Sequence, residues 1–459
     1  MPQSPERLMR RLGLGGVLGL LLSATASAQT DAASAMERQT NEAFRQVLQQ
    51  PQDLGLWSRY AQLLVQAGNY EGGIAALERL LLEPNASPEL RLEIALLYYR
   101  LGSYAMAEGM VREALGDSRL QGDKRNLAET LLVDTTRRNQ RSQFGGSATL
   151  GLRHQSNPGF RSDSAQVLSG GLLGPPASNQ RPEGDTDLNL GLRLQHAYDL
   201  ERQNSAAIAS TLAAYLANYR SSSGHQLQAN PTKPYDLQVL EVTTGLQFKP
   251  LPATQANLSL RPHLLLSNVA AQGHQYLRNQ GLGLDLHWRP DERTLLELTA
   301  DGQDRDFANR IDVTNADQLD GRLYGLRMRV VREVGVGRQL AGEYALRRNR
   351  AGRDYYDFTS HEVRVTYAVT YASPLRDGRY WTTGLSLGAL RRTYGAPDPS
   401  ITLADTRRDR EWRVAVNQTL QLTPVWYLLL MAEHSRNQAN LPNFRYKNTS
   451  FSGAVLRTF

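Results

Sequence analysis

From Gly145 to the C-terminus, apolar residues alternate with small or polar residues. In the clearest run, Leu188, Leu190, Leu192 and Leu194 alternate with Asn189, Gly191, Arg193 and Gln195. A period of two is typical of β-strands with two different faces. The pattern predicts fourteen strands, at 146–156, 187–199, 205–219, 236–248, 256–268, 280–289, 294–304, 320–332, 338–349, 361–372, 380–393, 408–422, 426–437 and 446–459.

Most of these segments are roughly twice as long as the strands of soluble sheets, which usually have about six residues. A tilted strand of about ten residues already crosses a bilayer. We therefore expect an all-β transmembrane barrel of 14 antiparallel strands over residues 141–459. A large periplasmic sandwich is the alternative, but it would explain neither the strand length nor the pattern of links.

The links between the predicted strands alternate in length. The short links are Leu200 to Asn204, Lys249 to Gln255, Pro290 to Arg293, Glu333 to Gly337, Ser373 to Arg379 and Thr423 to Val425. Longer loops fall between them, and Pro158 to Thr186 is the longest. Outer-membrane barrels have short periplasmic turns and long external loops, so we expect both ends of the barrel to face the periplasm.

The last predicted strand ends on an aromatic residue. Its apolar positions include Phe451, Val455 and Phe459. A C-terminal Phe on an amphipathic strand resembles the signal that the outer-membrane barrel assembly machinery reads. We predict that these three residues form that signal and that the machinery is a partner during biogenesis.

The N-terminal part has a different and much longer period. When the chain is aligned with itself, Gly68 matches Gly102 and Tyr70 matches Tyr104. This offset is the period of tetratricopeptide repeats, in which each unit is a pair of antiparallel helices. We predict an α-helical repeat domain over residues 29–140, with flanking helices at Met36 to Gln49 and Lys124 to Arg137 that cover the ends.

Such a repeat domain usually presents a groove lined by the first helix of each pair. The predicted partner-binding groove consists of Ser58, Gln62, Gln66, Leu92, Leu96 and Tyr99. The open alternative is that two repeats form only a spacer or a docking face for the rest of the chain.

Residues 1–28 are typical of a secretory signal peptide. Arg7, Arg10 and Arg11 precede the apolar run Leu12 to Leu22, and small residues at 26–28 follow as a cleavage site. An uncleaved anchor is the alternative. No later segment reaches the roughly 18 apolar residues of a membrane-spanning helix.

Composition narrows the function further. The formal net charge is +7 and is spread along the chain, so a nucleic-acid partner is not expected. There is no cysteine, which excludes disulfides, thiolate metal sites and cysteine nucleophiles. Histidine spacing shows no metal or protease motif, and no nucleophile elbow occurs. We predict no enzyme activity, no catalytic residues, no metal and no cofactor.

If the leucine-bearing faces meet lipid, the opposite faces line a lumen of mixed charge with a basic excess. Such rows normally pair across strands and stabilise the barrel, but they could also guide an anionic or extended polar cargo. The predicted lumen residues are Arg153, Arg193, Arg327, Arg329, Arg347, Arg364, Arg413, Glu343 and Glu362, with Glu241, Asp285 and Glu297 among the further acidic residues.

The order of parts, a signal peptide, two tetratricopeptide repeats and a fourteen-stranded C-terminal barrel, resembles the surface lipoprotein assembly modifier family of Gram-negative outer membranes. Locally, the segments 76–84 and 91–93 look like the family's repeats. The segment 151–157 and Arg407-Arg408-Asp409 are similar to its barrel pattern. The resemblance covers nearly the whole mature chain.

This resemblance implies a translocon of the Gram-negative outer membrane that delivers surface lipoproteins or other secreted proteins to the cell surface. Its partners would be outer-membrane lipid and the substrate lipoprotein, which the periplasmic repeats would receive. An exopolysaccharide export porin, which also joins periplasmic tetratricopeptide repeats to a barrel, is the main alternative. A plain diffusion porin is a third.

Overall fold

The computed structural model describes residues 26–177, 181–200, 205–220, 236–251, 257–271, 273–309, 315–375 and 377–459. Most of the predicted signal peptide lies outside these residues. The chain divides into two compact units, with the boundary between Gln140 and Arg141. No helix in the described part of the chain combines the length and apolarity needed to cross a membrane.

The described part of the first unit has six helices: α1 (Ala26–Gln49), α2 (Leu54–Gln66), α3 (Tyr70–Leu80), α4 (Pro88–Arg100), α5 (Tyr104–Gly116) and α6 (Gly122–Arg138). Side-chain oxygens of Asp53, Asn69 and Ser87 accept backbone hydrogen bonds at the starts of α2, α3 and α4. These are standard N-caps. The two matching turns of the repeats have the same geometry, because Gly68 and Gly102 have φ values of 79° and 77°.

Two apolar clusters stabilise this unit. The first joins α2, α3 and α4 and includes Ala61, Leu77 and Ile94. The second joins α4, α5 and α6 and includes Ala95 and Val111. Small residues at these helix crossings let the backbones approach closely, as the repeat pattern predicts.

The described part of the second unit contains sixteen strands, fourteen of which close a barrel. The barrel strands are β1 (Ser142–Gln155), β4 (Asp185–Asp199), β5 (Ala206–Tyr219), β6 (Leu237–Phe248), β7 (Leu258–Ala271), β8 (His274–Asp291), β9 (Thr294–Phe307), β10 (Gly321–Gly335), β11 (Arg338–Ala351), β12 (Phe358–Ala372), β13 (Tyr380–Tyr394), β14 (Arg408–Gln421), β15 (Trp426–Ala439) and β16 (Tyr446–Thr458). Strands β2 (Val167–Ser169) and β3 (Leu172–Gly174) form a separate hairpin in the loop between β1 and β4.

Each barrel strand pairs antiparallel with its neighbours, and β1 pairs with β16 to close the ring. The predicted fold class, a helical domain followed by a fourteen-stranded transmembrane barrel, is confirmed. We call the end of the barrel where β1 begins and β16 ends the turn end, and the opposite end the loop end.

The predicted alternation of link lengths is wrong at one place. Strand β7 continues to Ala271 and β8 begins at His274, so this loop-end connection is as tight as those at the turn end. Gly273 has a φ of 76°, a left-handed conformation that glycine adopts without steric cost and that two-residue hairpin turns use. The sequence pattern placed a longer loop here because neither the small apolar end of β7, 269–271, nor the polar start of β8 shows clear alternation.

Candidate functional site

The ladder register assigns every barrel residue to one of two faces. Leu264 and Leu266 on β7, and Leu282 and Leu284 on β8, share a face and are 45 to 66% exposed. The alternate positions carry the charged rows, and some of them, such as Asp187, are completely buried. Only the interior of a closed barrel can bury them, so the leucine face points outward.

All nine predicted lumen residues lie at inward positions. Along the ladder, Arg329 lies opposite Glu297 on one neighbour and Glu343 on the other, and Glu343 lies opposite Arg364. Arg364 and Arg413 both lie opposite the same residue of β13, Gly388. A row of alternating charge therefore runs around the wall from β9 to β12, and Arg413 on β14 follows it beyond Gly388.

Four of the predicted arginines form ion pairs in the lumen. Arg153 donates to Asp187 at 2.8 Å, and Arg329 donates to Glu297 at 2.8 Å. Arg364 pairs with Glu362 at 2.8 Å, and Arg413 pairs with both Glu411 at 2.7 Å and Glu433 at 3.6 Å. These pairs link neighbouring strands or alternate residues of one strand. They therefore stabilise the wall, and their arginines are already neutralised by carboxylates of the protein.

Three predicted lumen arginines behave differently. Arg193, Arg327 and Arg347 are exposed within the barrel. None of them forms an ion pair with a residue that the structure describes. They are the inward cations that a polar or anionic molecule in the lumen could reach.

The predicted excess of positive charge is wrong for the described strands. Their inward positions carry the arginines Arg153, Arg193, Arg261, Arg305, Arg327, Arg329, Arg347, Arg364, Arg392 and Arg413. They also carry the more numerous carboxylates Asp185, Asp187, Asp199, Glu241, Asp285, Glu297, Asp301, Glu333, Glu343, Glu362, Asp409, Glu411 and Glu433. Asp187, Asp301 and Glu433 are not among the lumen residues predicted from the sequence, because only the strand register assigns them to the inner face.

Sequence reasoning did not single out a cluster around Asp285. This carboxylate accepts a hydrogen bond from Arg261 Nε at 3.1 Å and from Thr299 at 2.9 Å, and His263 Nδ1 lies 3.3 Å away. The His263 ring is buried because Gly283 on β8 offers no side chain where the ring lies. No sequence signal connects residues that come from three strands.

Buried side chains of the barrel are concentrated in its loop-end half. Gln155 Nε2 donates to the Tyr219 hydroxyl at 3.2 Å, and Asn448 Nδ2 donates to Gln155 Oε1 at 3.1 Å. Asn448 in turn accepts from the backbone of Asn157 at 3.0 Å. This buried polar network links β1, β5 and β16 with the start of the β1–β4 loop, so the lumen is packed at the loop end.

The β2–β3 hairpin is fastened to two other loop-end segments. The backbone nitrogens of Gly170 and Gly171 donate to the carbonyls of Ser400 and Ile401 at 2.9 and 2.7 Å. Asn443 holds the backbone of Leu168 through two hydrogen bonds, of 2.9 and 2.8 Å. The β2–β3 hairpin is therefore tied to the β13–β14 and β15–β16 loops at this end of the barrel.

The predicted groove residues fall into two groups. Gln62 and Gln66 are exposed and Ser58 is half-buried, so this stripe of α2 is accessible. Leu92, in contrast, is 4% exposed and belongs to the second apolar cluster, against which Leu96 and Tyr99 also pack. The prediction that Leu92 lines a groove is wrong, because the cluster formed with α5 and α6 covers its side chain.

Tyr99 is tied to the last helix. Its hydroxyl donates to Asp134, and the Arg138 guanidinium lies 5.3 Å from the Tyr99 ring centre. The hydrogen bond from Tyr99 lowers the pKa of Asp134, and the same bond raises the pKa of Tyr99. Tyr99 therefore stabilises the packing of α6 on α4.

The predicted assembly-signal residues lie on the outer face. Phe451, Val455 and Phe459 are all exposed. The backbone of Phe459 exchanges hydrogen bonds with Gly146 at 2.9 and 3.1 Å, which extends the β1–β16 seam to the last residue. Among the residues that the structure describes, no group of three His, Asp or Glu side chains could hold a metal ion.

No protein-family model and no curated protein matches this sequence. Among solved structures, an outer-membrane channel from Pseudomonas putida F1 is 12% identical, with 69% of this chain and 96% of that chain covered and a TM-score of 0.35. A bacterial polysaccharide outer membrane secretin is 8% identical, with coverages of 68% and 98% and a TM-score of 0.36. The TodX monoaromatic hydrocarbon channel is 10% identical, with coverages of 71% and 91% and a TM-score of 0.37.

Proposed function

We propose that this protein is a translocon of the Gram-negative outer membrane that delivers surface lipoproteins, or related secreted proteins, to the cell surface. The barrel would lie in the outer membrane, since its outer face is a band of exposed leucines and every barrel strand is paired on both sides. Closed barrels of this kind satisfy all backbone groups within lipid. We place the loop end outside, because long loops of such barrels are external.

The observation that carries the proposal is the direct connection of a helical unit to a barrel whose loop-end segments are hydrogen-bonded to one another, an arrangement that we interpret as a loop-end cover. Helix α6 ends at Arg138 and β1 begins at Ser142. In our orientation this junction lies on the periplasmic side, where a substrate would arrive. A plain diffusion porin needs neither a helical receiver nor a hydrogen-bonded cover over its external loops.

In this proposal the helical unit is a tetratricopeptide repeat domain that receives the substrate. The accessible stripe of Ser58, Gln62 and Gln66 on α2 supplies hydrogen-bonding groups that suit an extended peptide. The substrate would then pass to the barrel, which carries it outward when the loop-end cover opens.

Glycan export is the second candidate, and one observation favours it. Arg193, Arg327 and Arg347 are exposed in the lumen without carboxylate partners among the described residues. Such cations could guide an acidic polysaccharide. The excess of inward carboxylates opposes an anionic cargo, so we rank this candidate below protein delivery.

Site-specific photocross-linking in cells separates the two candidates. A photoreactive amino acid would replace Gln62 or Gln66, and Ala75, an exposed residue of α3, would be the matched control. We expect a lipid-modified exported protein to be cross-linked from both α2 positions and not from Ala75. If all three positions capture no exported protein while deletion of the gene removes a surface glycan, the translocon proposal is wrong.

A further inference from the structure

At the loop end of β10–β16, the outer face of the barrel changes from apolar to basic. Its outward positions there carry basic side chains on six of seven strands, and all of them are exposed. We call this surface the basic wall; it consists of Arg322, Arg348, Arg350, Arg391, Arg408, Arg410, Arg436 and Lys447.

The basic wall lies next to the apolar band on the same face. On β11, Leu340, Tyr344 and Leu346 precede Arg348 in the outward row. On β14, Arg410 is followed by the aromatic Trp412 and then by outward valines. On both strands the basic residues follow directly on the apolar and aromatic positions, which places the cations at the height where the lipid chains end and the headgroups begin.

Several of these cations face one another directly. Arg391 on β13 lies opposite Arg410 on β14, and Arg436 on β15 lies opposite Lys447 on β16. Side chains at such positions start only about 5 Å apart, and like charges there are destabilising. The fold thus contains repulsion that a bound anion would relieve.

The chain itself does not supply that anion on these strands. Arg348, Arg391, Arg410 and Arg436 form no ion pair with a described residue, and Lys447 reaches only Asp163, at 4.0 Å. The lumen shows the opposite arrangement, because four of its arginines bind carboxylates at 2.7 or 2.8 Å.

Carboxylates do occur on the outer face of the neighbouring strands. On β9, Asp304 and Asp306 are outward and exposed, and Arg278 of β8 lies opposite Asp306. Arg322, the first residue of the basic wall, donates to Asp304 at 3.0 Å. From β11 to β16 no outward carboxylate appears among the described strand residues. Outward basic residues without outward carboxylates on the same or adjacent strands are therefore concentrated on β11–β16.

We propose that the basic wall binds the phosphate groups of a phosphorylated glycolipid of the lipid A type in the outer leaflet. Arginine binds phosphate through two parallel N–H bonds, and basic side chains near a bilayer surface attract anionic headgroups. The inference rests on the outward placement of the loop end in the proposed function. It does not depend on which cargo the barrel carries.

The test uses the purified full chain in phosphatidylcholine nanodiscs. The probes are diphosphorylated lipid A and the same lipid with both phosphates removed, and native mass spectrometry counts the lipids retained. We expect the diphosphorylated form to bind, the dephosphorylated form to bind at least about tenfold more weakly, and inorganic phosphate not to displace the lipid.

The test variant is Arg391→Gln combined with Arg410→Gln and Arg436→Gln. We expect at least about a tenfold loss of affinity for diphosphorylated lipid A. The matched control is Arg332→Gln, an outward arginine at the turn end of β10, which should bind as the unmodified chain does. Retained heat-modifiable gel mobility shows that each variant is folded.

Equal binding of both lipids, full displacement by inorganic phosphate, or undiminished binding by the folded triple variant would each overturn the proposal. The result is separate from the proposed transport activity. Failure of cargo delivery in cells leaves the lipid measurement unchanged, and failure of lipid binding leaves the cross-linking result unchanged.

Discussion

Arg153 on β1 donates a hydrogen bond from Nε to Oδ2 of Asp187 on β4 at 2.8 Å, and the Asp187 side chain is completely buried. Asp187 also accepts a hydrogen bond from Asn189 at 3.0 Å. The pair lies at the loop-end half of the lumen, next to the buried network of Gln155 and Tyr219. It fixes β1, the first strand, to its neighbour.

Replacing Arg153 by Met should destabilise the barrel by about 3 kcal/mol, because a buried carboxylate would lose its cation. The free energy of unfolding is measured in urea with the protein in phosphatidylcholine vesicles, through the fluorescence of the barrel tryptophans. The double variant Arg153→Met with Asp187→Leu should recover most of the loss.

The control for this prediction is Arg322→Met. Arg322 and Asp304 are paired at 3.0 Å but are 67% and 60% exposed, so the change should leave the free energy of unfolding nearly unchanged. Equal losses for Arg153→Met and Arg322→Met would show that burial of Asp187 contributes nothing.

Gly283→Ala should destabilise the barrel by about 1 to 3 kcal/mol, because its Cβ would overlap the buried ring of His263. Gly342→Ala is the matched control, since a Cβ at Gly342 meets no atom within 4 Å. The same urea measurement compares the two. Equal stability of the two alanine variants would contradict the close packing of Gly283 against the His263 ring.

Removal of the β2–β3 hairpin should open the barrel. Replacing residues 165–176 by a short Gly/Ser linker removes the hydrogen bonds to Ser400, Ile401 and Asn443. We expect higher single-channel conductance in planar bilayers than for the unmodified chain. Val336→Ala, at a fully exposed turn-end position, should leave the conductance unchanged, and an unchanged conductance after hairpin removal would contradict the covering role.

The stability of the helical unit should fall in strongly alkaline solution. Burial, together with a hydrogen bond to Glu78 at 2.8 Å, raises the pKa of Tyr98 to about 12. The unfolded chain loses this proton at a pH of about 10. The stabilisation is therefore complete below a pH of about 10 and is lost as the pH rises from about 10 to about 12.

Ultraviolet titration of the full chain and of Tyr98→Phe provides the measurement. The difference between the two titrations should show one tyrosine with a midpoint at a pH of about 12. A midpoint near the ordinary tyrosine value would show that the buried hydrogen bond to Glu78 does not form in solution.

Most of the fold could be predicted from the sequence, because the residue pattern within each helix or strand is enough to identify it. The alternation through Leu188 and Leu194 requires no knowledge of neighbouring strands, and the glycine turns at Gly68 and Gly102 mark the helix pairs directly. The tight β7–β8 turn was missed because neither strand end there shows clear alternation of apolar and polar residues.

The candidate site could be predicted less completely, because its contacts depend on which strands are neighbours in the barrel. Asp285 and His263 come together only through the register of β7 and β8. Leu92 occupies the position in the second repeat that the accessible Ser58 occupies in the first, but α5 and α6 cover it. The positive surface on the outer wall arises from residues that are far apart in the sequence, and only the closed ring brings them together.

The most direct test of the transport proposal is protease shaving of intact cells that carry the gene or its deletion, with mass spectrometry of the released surface peptides. We expect one or a few lipoproteins to disappear from the surface of the deletion strain while their total cellular amounts stay the same. Re-expression of the full chain should restore them. An unchanged set of surface lipoproteins would contradict the proposal.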